Sequence, residues 1–253
     1  MKWLPPNGAL HGVALDHLLA WNLAIIVGLC IAAHILIAAA FLFRRARNSA
    51  STASAPAHAN NLRPLLLAET LTLLVLTALY VAMDITGHRL WAASRERGPA
   101  AKPIQVEVTG VQFQWYFRYP GPDGIYGATQ PNLVSAPTGN PLGLDPADPH
   151  SADDIVSAIL ILPANQPINI TLRSQDVIHG FFVPGMRLKQ DAIPGMLGHL
   201  QFTPTVAGDY PILCSQVCGL GHARMQARLR VVSADQYTRW IAARERAASE
   251  AAR

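Results

Sequence analysis

The stretch IQVEVTGVQFQWYFRYP, Ile104–Pro120, decides the fold of the larger part of this chain. It alternates β-branched or aromatic residues with polar ones and ends at the turn Gly121-Pro122-Asp123-Gly124, which is typical of a strand with one buried face. Shorter segments of the same character follow, separated by proline and glycine: AILILP, INITLRS, HLQFTP, GDYPILC and ARLRVV. Short strands at such close spacing predict an all-β sandwich.

Two long apolar runs precede this region and predict membrane-spanning helices. Leu23–Phe43 is apolar apart from His34, and Leu65–Met83 carries one acid, Glu69. As a helix, each run is long enough to cross about 30 Å of hydrocarbon. The first run exceeds the ~7–15 apolar residues of a secretory signal. We therefore expect a retained helical hairpin, surrounded by membrane lipid, rather than a cleaved signal.

The charges around the two runs predict their orientation. The link Arg44–Pro64 holds four arginines and no acid, which favours the cytoplasmic side of the membrane. Both termini then lie on the opposite side. Basic residues on the outer flanks of the hairpin balance these arginines, so the predicted orientation depends partly on the chemistry of the site described below.

The chain divides into three predicted regions. Residues 1–100 comprise an N-terminal segment, the hairpin and a polar linker. Residues 101–232 form the β domain, with a long surface loop at Gln130–Asp154. Residues 233–253 form a short C-terminal helix that opens with a capping box at Ser233-Ala234-Asp235-Gln236.

The net charge of +4 does not indicate a nucleic-acid partner. Basic residues concentrate beside the apolar runs, whereas Ile104–Val232 holds nine acids against seven lysines and arginines. The β domain also lacks the interleaved basic and aromatic residues of nucleic-acid-binding surfaces. The hydrophobic share of 51% is high for a purely soluble protein and is explained by the hairpin.

The stretch CSQVCGLGHARM, Cys214–Met225, brings two thiols, an imidazole and a thioether into one short segment. Sulfur and imidazole ligands together select copper, zinc or iron clusters over hard cations. Thiolate, imidazole and a weak thioether are typical of a copper electron-transfer centre. Two alternatives stay open for this stretch alone. One is a disulfide between Cys214 and Cys218, and the other is a zinc site, for which methionine is a poor ligand.

A second stretch, Asp176-Val177-Ile178-His179-Gly180-Phe181-Phe182-Val183-Pro184, favours the metal site over the disulfide. Its histidine lies between a predicted strand and a turn. Connecting loops of this kind are where a rigid sandwich presents functional side chains. His179 is therefore the candidate for a second imidazole ligand.

Together, DVIHGFFVPGMRLKQDAIPG and CSQVCGLGHARM resemble the ligand segments of subunit II of the haem–copper oxidases, the cytochrome c oxidase type with a binuclear CuA centre. The likeness covers nearly the whole chain and implies a cupredoxin-like Greek-key sandwich outside the membrane. It also implies two copper ions that are bridged by two thiolates, each capped by one imidazole, and weakly bound on their axes. The implied ligands are Cys214, Cys218, His179, His222, Met225 and the backbone carbonyl of Gln216.

The resemblance implies further roles for four positions. Gln114-Trp115-Tyr116 resembles the aromatic stretch whose first tryptophan accepts the electron from cytochrome c, although Phe117 stands where a second tryptophan is usual. Glu69 loosely matches a glutamate at the mouth of a proton path into subunit I. Gln216 replaces a glutamate that binds magnesium in many relatives, and a neutral amide is a poorer ligand for a hard cation, which argues against magnesium here. Asp191 matches an aspartate near the same subunit interface.

The function implied is electron input to a terminal oxidase of a bacterial inner membrane, with the copper domain on the periplasmic side. Electrons would come from a c-type cytochrome and pass to the haem-binding subunit I, where O2 is reduced with proton translocation. Two alternatives remain: the CuA subunit of a nitric oxide reductase, and a membrane-tethered copper carrier or assembly protein. His88, His150 and His199 have no motif around them and are interpreted as surface or structural histidines.

Overall fold

The structure is a computed structural model that describes residues 4–50, 63–95 and 102–251. These residues fall into two compact units, a helical hairpin within Ala14–Ala93 and a unit that combines the N-terminal segment with the rest of the chain. Most of the predicted cytoplasmic link and of the polar linker lies outside the described residues.

The hairpin consists of α1 (Gly12–Ala50) and α2 (Arg63–Arg95). Each helix holds a span that is long and apolar enough to cross a membrane, Gly12–Ala46 and Leu66–Ala92. The large apolar side chains of these spans are exposed within the chain, as expected of helices that are surrounded by lipid or by other subunits. The hydroxyls of Thr70, Thr72 and Thr86 donate to carbonyls one turn earlier, so they need no external partner.

The β domain is a sandwich of two five-stranded sheets, as predicted. Its strands are β1 (Ile104–Val111), β2 (Gln114–Tyr119), β3 (Ile155–Ser157), β4 (Ile159–Pro163), β5 (Ile168–Ser174), β6 (His179–Val183), β7 (Leu188–Ala192), β8 (Gly198–Phe202), β9 (Gly208–Cys214) and β10 (Gln226–Val232). One sheet has the order β3-β2-β1-β5-β8 and the other β4-β10-β9-β6-β7. In each sheet one neighbouring pair is parallel, β1 with β5 and β4 with β10.

The stretch Ile104–Pro120 forms two strands where the sequence predicted one. β1 and β2 are antiparallel, with Val111 opposite Gln114, so Gln112 and Phe113 form the turn between them. The sequence also gave no signal for β3, which is only three residues long. β6 and β7 were missed as well, because a single 3-10 turn at Pro184–Met186 separates them and proline favours a loop interpretation.

The hydrophobic core lies between the two sheets. Alternate residues of the central strands have almost no exposure, which is the burial pattern expected of strands with one face in the core. Each large apolar side chain that is buried contributes about 1.5–3 kcal/mol. The core includes Val106, Val108, Trp115, Phe117, Leu160, Leu162, Ile170, Leu172, Phe181, Ile212 and Leu229.

The N-terminal segment packs on the β domain, although the sequence analysis grouped it with the hairpin. Ala9 is buried in the domain core. The N–H of Gly8 donates to the carbonyl of Gly185 at 2.8 Å, and the N–H of Thr205 donates to the carbonyl of Gly8 at 2.7 Å. Residues 4–13 and the sandwich therefore form one unit, with α1 starting at the end of this segment.

A buried ion pair anchors the long loop that precedes β3. Arg118 of β2 donates to the carboxylate of Asp154 and to the carbonyl of Gly127, while the N–H of Gly127 donates to Asp154 at 2.9 Å. Glu107 of β1 lies 3.6 Å from the same guanidinium. Because the charges are paired, the two ends of the loop are held against the sheet without an isolated buried charge.

The C-terminal helix α3 (Ala234–Ala251) begins as the sequence predicted. The N–H of Gln236 donates to the hydroxyl of Ser233 at 3.3 Å, and the N–H of Ser233 donates to the amide oxygen of Gln236 at 3.1 Å. This reciprocal pair is a capping box. The helix packs on the sandwich through Trp240, whose ring lies edge-on to Tyr119 with centroids 5.0 Å apart.

Candidate metal centre

Two adjacent strands hold the cysteine-containing segment as a closed loop. β9 ends at Cys214, and β10 begins directly after Met225. The N–H of Cys214 donates to the carbonyl of Met225 at 3.1 Å, which closes the base of the loop. A 3-10 turn at His222–Arg224 returns the chain to the sheet. The two ends of the segment therefore meet at one place.

The four side chains of this loop that the sequence predicted as ligands lie side by side. The sulfurs of Cys214 and Cys218 are 3.8 Å apart. The sulfur of Cys218 lies 3.7 Å from the sulfur of Met225 and 3.8 Å from Nδ1 of His222. The thiol of Cys214 donates to the carbonyl of Gln216 at 3.1 Å, so this carbonyl lies beside the thiols.

β6 brings the remote histidine to this loop. β6 pairs with β9, with Phe181 opposite Cys214, and the N–H of Ser215 donates to the carbonyl of Gly180 at 2.9 Å. A Cβ at position 180 would lie 2.8 Å from the backbone nitrogen of Gln216. Glycine therefore permits the close approach of the two segments. His179 is the first residue of β6, whereas the sequence placed it on a connecting loop.

The imidazole of His179 has one nitrogen held and the other without a partner. The ring is fully buried, Nε2 donates to the carboxylate of Asp176 at 2.7 Å, and Nδ1 has no hydrogen-bond partner among the described residues. A neutral imidazole that donates from Nε2 has a free lone pair at Nδ1. The potential ligand atoms of His179, Cys214 and Cys218, one from each side chain, all lie within 4.8 Å of one another. A carboxylate that holds one nitrogen of an imidazole and leaves the other free is the usual way in which proteins orient histidine ligands.

Asp176 is held as a carboxylate by several donors. Burial alone would raise its pKa, but the N–H of Gln112, the imidazole of His179 and the N–H of Val177 together lower the pKa of Asp176 below its usual value. The N–H groups of Gln112 and Val177 both lie 2.7 Å from the carboxylate oxygens that they bond. Asp176 therefore stays charged and keeps the proton of His179 on Nε2.

The two thiols are not bonded to each other. Their separation of 3.8 Å is far longer than the ~2.05 Å of a disulfide. Burial, followed by the nearby Cys214, raises the pKa of Cys218 to about 11, so a pair of thiolates here needs a bound cation to stabilise it. Two thiols, imidazole nitrogens, a thioether and a carbonyl oxygen form a donor set that suits copper, and the residues present therefore fit a copper centre.

The β domain matches one known protein family. The sequence model described as "Cytochrome C oxidase subunit II, periplasmic domain" matches residues 104–232, slightly more than half of the 253 residues. The chain belongs to the cytochrome c oxidase subunit II family. The matched region begins at β1 and ends at β10, so it contains the whole sandwich and all six candidate ligands.

Individual relatives are similar to this chain over part of its length. The chain is 39% identical to the alternative cytochrome c oxidase subunit 2 of Bradyrhizobium diazoefficiens over 143 residues, which cover 56% of this chain and 51% of that protein. It is 31% identical to the cytochrome c oxidase subunit 2 of Synechocystis over 157 residues, 62% of this chain and 37% of that protein. The solved periplasmic domain of subunit II of cytochrome oxidase from Bradyrhizobium japonicum aligns with 28% identity and a TM-score of 0.43, covering 58% of this chain and 96% of that one. The chain thus matches about half or less of the length of these curated relatives.

The resemblance predicted that Trp115 accepts the electron from cytochrome c. In the structure this tryptophan is buried. Its side chain is 0% exposed, and its ring lies edge-on to His179 and Phe181 with centroids 5.8 Å and 5.4 Å apart. A docked protein cannot touch this side chain. Any part that Trp115 plays in electron transfer would be that of a relay beside His179.

The exposed aromatic residue next to the metal centre is Phe113. It lies in the turn between β1 and β2 and is 36% exposed. A Cβ at Gly221 would lie 2.3 Å from its ring, and one at Gly219 would lie 3.1 Å from it, so the ring packs directly on the cysteine loop. The sequence pattern predicted one continuous strand around Phe113, so this exposed position was not predicted.

Three other positions were singled out from the sequence. Glu69 is an exposed residue of α2, Asp191 on β7 forms an ion pair with Lys189 at 3.0 Å, and the amide-bearing Gln216 is exposed. None of these observations tests the predicted proton path or the predicted lack of magnesium, so both stay predictions.

The three histidines interpreted as surface or structural residues have ordinary surroundings. Nδ1 of His150 donates to the carboxylate of Asp123 at 2.5 Å, and the ring of His88 lies 5.8 Å from that of Trp91. His199 is exposed on β8. In the described part of the chain, none of them belongs to the group of thiols and imidazoles at the metal centre.

Four residues that shape the site were not predicted. Asp176 orients His179, and Gln112 contacts both Asp176 and the cysteine loop. Gly180 permits the contact between the two ligand segments. A Cβ at Gly110 would lie 2.9 Å from the ring of His179, so this glycine leaves the space that the imidazole occupies. The spacing of Asp176, three residues before the histidine, was the one available signal in the sequence.

Proposed function

We propose that this chain is the electron-input subunit of a cytochrome c oxidase. It would receive electrons from a c-type cytochrome at a binuclear copper centre and pass them to a haem-binding subunit I, which reduces O2 with proton translocation. The observation that carries the proposal is the convergence of two unbonded thiols and a buried imidazole whose Nδ1 has no partner among the described residues. Membership of the cytochrome c oxidase subunit II family supports the same function.

Two copper ions are the proposed cofactor, and their ligands are those named from the sequence. Cys214 and Cys218 would supply the bridging thiolates, with His179 and His222 as imidazole ligands. Met225 and the carbonyl of Gln216 would be the weak axial ligands. When bound, the copper pair would supply a one-electron redox centre with soft ligands. We do not propose magnesium, because the amide of Gln216 is a poor ligand for a hard cation.

The protein's own contribution is to hold these ligands in place and to exclude water from half of them. His179, Cys218 and Met225 are 0%, 5% and 1% exposed. The carboxylate of Asp176 fixes the tautomer of His179, and the closed base of the loop fixes Cys214 and Met225 relative to each other. Ligands that are held in this way before the metal binds reorganise little when the charge of the centre changes.

Electron input from the cytochrome would take place at the exposed side of the loop. Phe113 is the aromatic ring that lies on this loop and also reaches the surface. Trp115 lies directly beneath the turn and touches the ring of His179. We therefore assign the docking contact to Phe113 and keep Trp115 only as a buried relay.

The N-terminal segment supports a two-span topology. Residues 4–13 are hydrogen-bonded to the β domain, so the chain on both sides of the hairpin lies on one side of the membrane. Two crossings between these segments satisfy that requirement. We place this side in the periplasm of a bacterial inner membrane, in agreement with the arginines of the link between the helices.

Glu69 is proposed as the mouth of a proton path shared with the partner subunit. It is a carboxylate within the apolar span Leu66–Ala92 and is exposed within this chain. A charged side chain at membrane depth is costly unless it faces a protein or a water-filled cavity. The partner subunit is the natural source of such surroundings.

Copper loading of the full-length chain tests the proposed function. The purified chain in detergent, reduced and then loaded with copper, should bind two ions and show the paramagnetic spectrum of one electron shared by two equivalent coppers. Cys218→Ser should abolish this spectrum. Cys30→Ser is the matched control, because Cys30 lies in the membrane helix α1, and it should leave the spectrum unchanged. A single-copper hyperfine pattern in the parent chain would contradict the binuclear assignment.

A further inference from the structure

One residue of the turn between β1 and β2 contacts both ligand segments. The backbone N–H of Gln112 donates to Oδ2 of Asp176 at 2.7 Å, and its side-chain amide donates to the carbonyl of Cys218 at 2.5 Å. The other oxygen of Asp176 accepts from Nε2 of His179 at 2.7 Å. A continuous chain of hydrogen bonds therefore runs from the buried histidine to the buried cysteine.

We propose that Gln112 is a positioning residue of the metal centre, which sets the cysteine loop at a fixed distance from His179 before any metal binds. Its backbone is tied to the histidine side through Asp176, and its side chain is tied to the cysteine side. The identity of the metal rests on the proposed function. The positioning itself is a property of the metal-free chain, so it is tested separately.

The surroundings of Gln112 are shaped to hold its amide. Gly219 has a φ of +136°, and a Cβ there would lie 2.9 Å from Nε2 of Gln112. Glycine both adopts this backbone conformation and leaves the space for the amide. Cys218 is 5% exposed, and a buried carbonyl that loses its donor is costly to leave unpaired. The glutamine therefore supplies a donor to the backbone carbonyl of a buried residue.

Gln114 is the matched control for Gln112. It is the same residue type on the far side of the same turn, and it is exposed. Its side chain makes no hydrogen bond to the described residues. A substitution there repeats the chemical change without touching the connection between the ligand segments.

The test measures how accessible the thiol of Cys218 is in the copper-free, reduced full-length chain. Cys30→Ser serves as the background, so that only Cys214 and Cys218 react. N-ethylmaleimide labels the native protein, and fragmentation of the peptide in a mass spectrometer assigns the label to each cysteine. Gln112→Met keeps the length of the side chain and the backbone bond to Asp176 but removes the donor to Cys218.

We expect Gln112→Met to speed the labelling of Cys218 about fivefold, the factor that corresponds to the ~1 kcal/mol of one hydrogen bond that resists local opening. Gln114→Met should stay within about twofold of the parent. Gln112→Leu also removes the donor without adding a charge that would change the reactivity of the thiol, and it should give the same acceleration as the methionine variant. If Gln112→Met folds poorly, this second variant shows whether the amide of Gln112 restricts access to the thiol of Cys218.

Copper-loaded samples of the same variants supply a second readout. Gln112→Met should alter the copper hyperfine pattern, while Gln114→Met should leave it as in the parent. Labelling of Cys218 at the parental rate in both Gln112 variants would overturn the proposal, whatever the copper spectrum shows. Accelerated labelling in a chain that binds no copper pair would instead support the positioning role and contradict the proposed function.

Discussion

Replacing Gly180 by alanine tests whether the contact between β6 and the cysteine loop sets the geometry of the metal centre. The new Cβ would lie 2.3 Å from Oγ of Ser215 and 2.8 Å from the backbone nitrogen of Gln216. The hydroxyl of Ser215 can rotate away, but the nitrogen of Gln216 moves only with the loop. Non-bonded atoms settle at roughly 3.5 Å or more, so the loop must retreat by roughly 0.7 Å.

A movement of this size is larger than a metal site tolerates. Ligand distances in a proper site lie within about 0.2 Å of their ideal values. The same movement strains the bond from the N–H of Ser215 to the carbonyl of Gly180, which is 2.9 Å long. Overpacking of a well-packed site costs about 1–3 kcal/mol, less than the stability of most domains. The sandwich should therefore stay folded while the copper centre changes.

The assay compares metal-free unfolding with the copper spectrum for the full-length chain. Gly180→Ala should lower the free energy of unfolding by about 1–3 kcal/mol and should either lose one copper or show unequal coppers in the paramagnetic spectrum. Gly87→Ala in α2 is the control, because a Cβ there meets no atom within 4 Å. Adding Ser215→Gly to Gly180→Ala should not restore the spectrum, since the clash with the backbone remains. A parental spectrum in Gly180→Ala would refute this reasoning.

Three further predictions concern the loop anchor, the surface histidine and the exposed aromatic ring. Arg118→Met leaves the buried carboxylate of Asp154 without its partner and should destabilise the chain by about 3–5 kcal/mol in denaturant unfolding, with partial recovery when Asp154→Asn is added. The hydrogen bond to Asp123 raises the pKa of His150, so the pair stabilises the fold fully below about pH 6.5 and loses this effect as the pH rises through the raised pKa. His150→Gln should therefore lower the thermal midpoint more at about pH 6 than at about pH 9, and equal losses would contradict the pairing. Phe113→Leu should keep the copper spectrum and slow electron transfer from a reduced c-type cytochrome in stopped-flow measurements, and an unchanged rate would exclude the docking contact.

The fold class and the ligand set could be predicted from the sequence because each depends on local signals. Strands such as Ile168–Ser174 alternate apolar and polar residues, and this period marks a half-buried strand wherever it occurs. The ligands of the segment Cys214–Met225 lie close together in the chain, so a single loop can gather them. The remote His179 became a candidate because it lies between a predicted strand and a turn, and the resemblance of its neighbours to a known segment supported that interpretation.

The arrangement of the residues around the ligands could not be predicted from the sequence, because it depends on contacts between segments that are distant in the chain. The apolar residues of Ile104–Pro120 shift from even-numbered to odd-numbered positions between Val108 and Val111, and this change of phase is the only local sign of the turn at Gln112 and Phe113. The burial of Trp115 follows from that turn, which sends its side chain into the core beside His179. The contact of Gln112 with Cys218 joins positions 106 residues apart, and a pattern read along the chain carries no information on such a pair.

The six candidate ligands differ in solvent exposure, and this difference predicts which substitutions should alter the metal centre. His179, Cys218 and Met225 are buried, whereas Cys214 and His222 are half-buried and Gln216 is exposed. The buried ligands contact the core and cannot move without repacking it. The outer ligands lie on a loop whose tip, with Val217 and Leu220 at 80% and 105% exposure, has no core contact. Changes beside the buried half, such as Gly110→Ala next to the ring of His179, should therefore perturb the metal more than changes at the tip, although the tip lies closer to the cysteines in sequence.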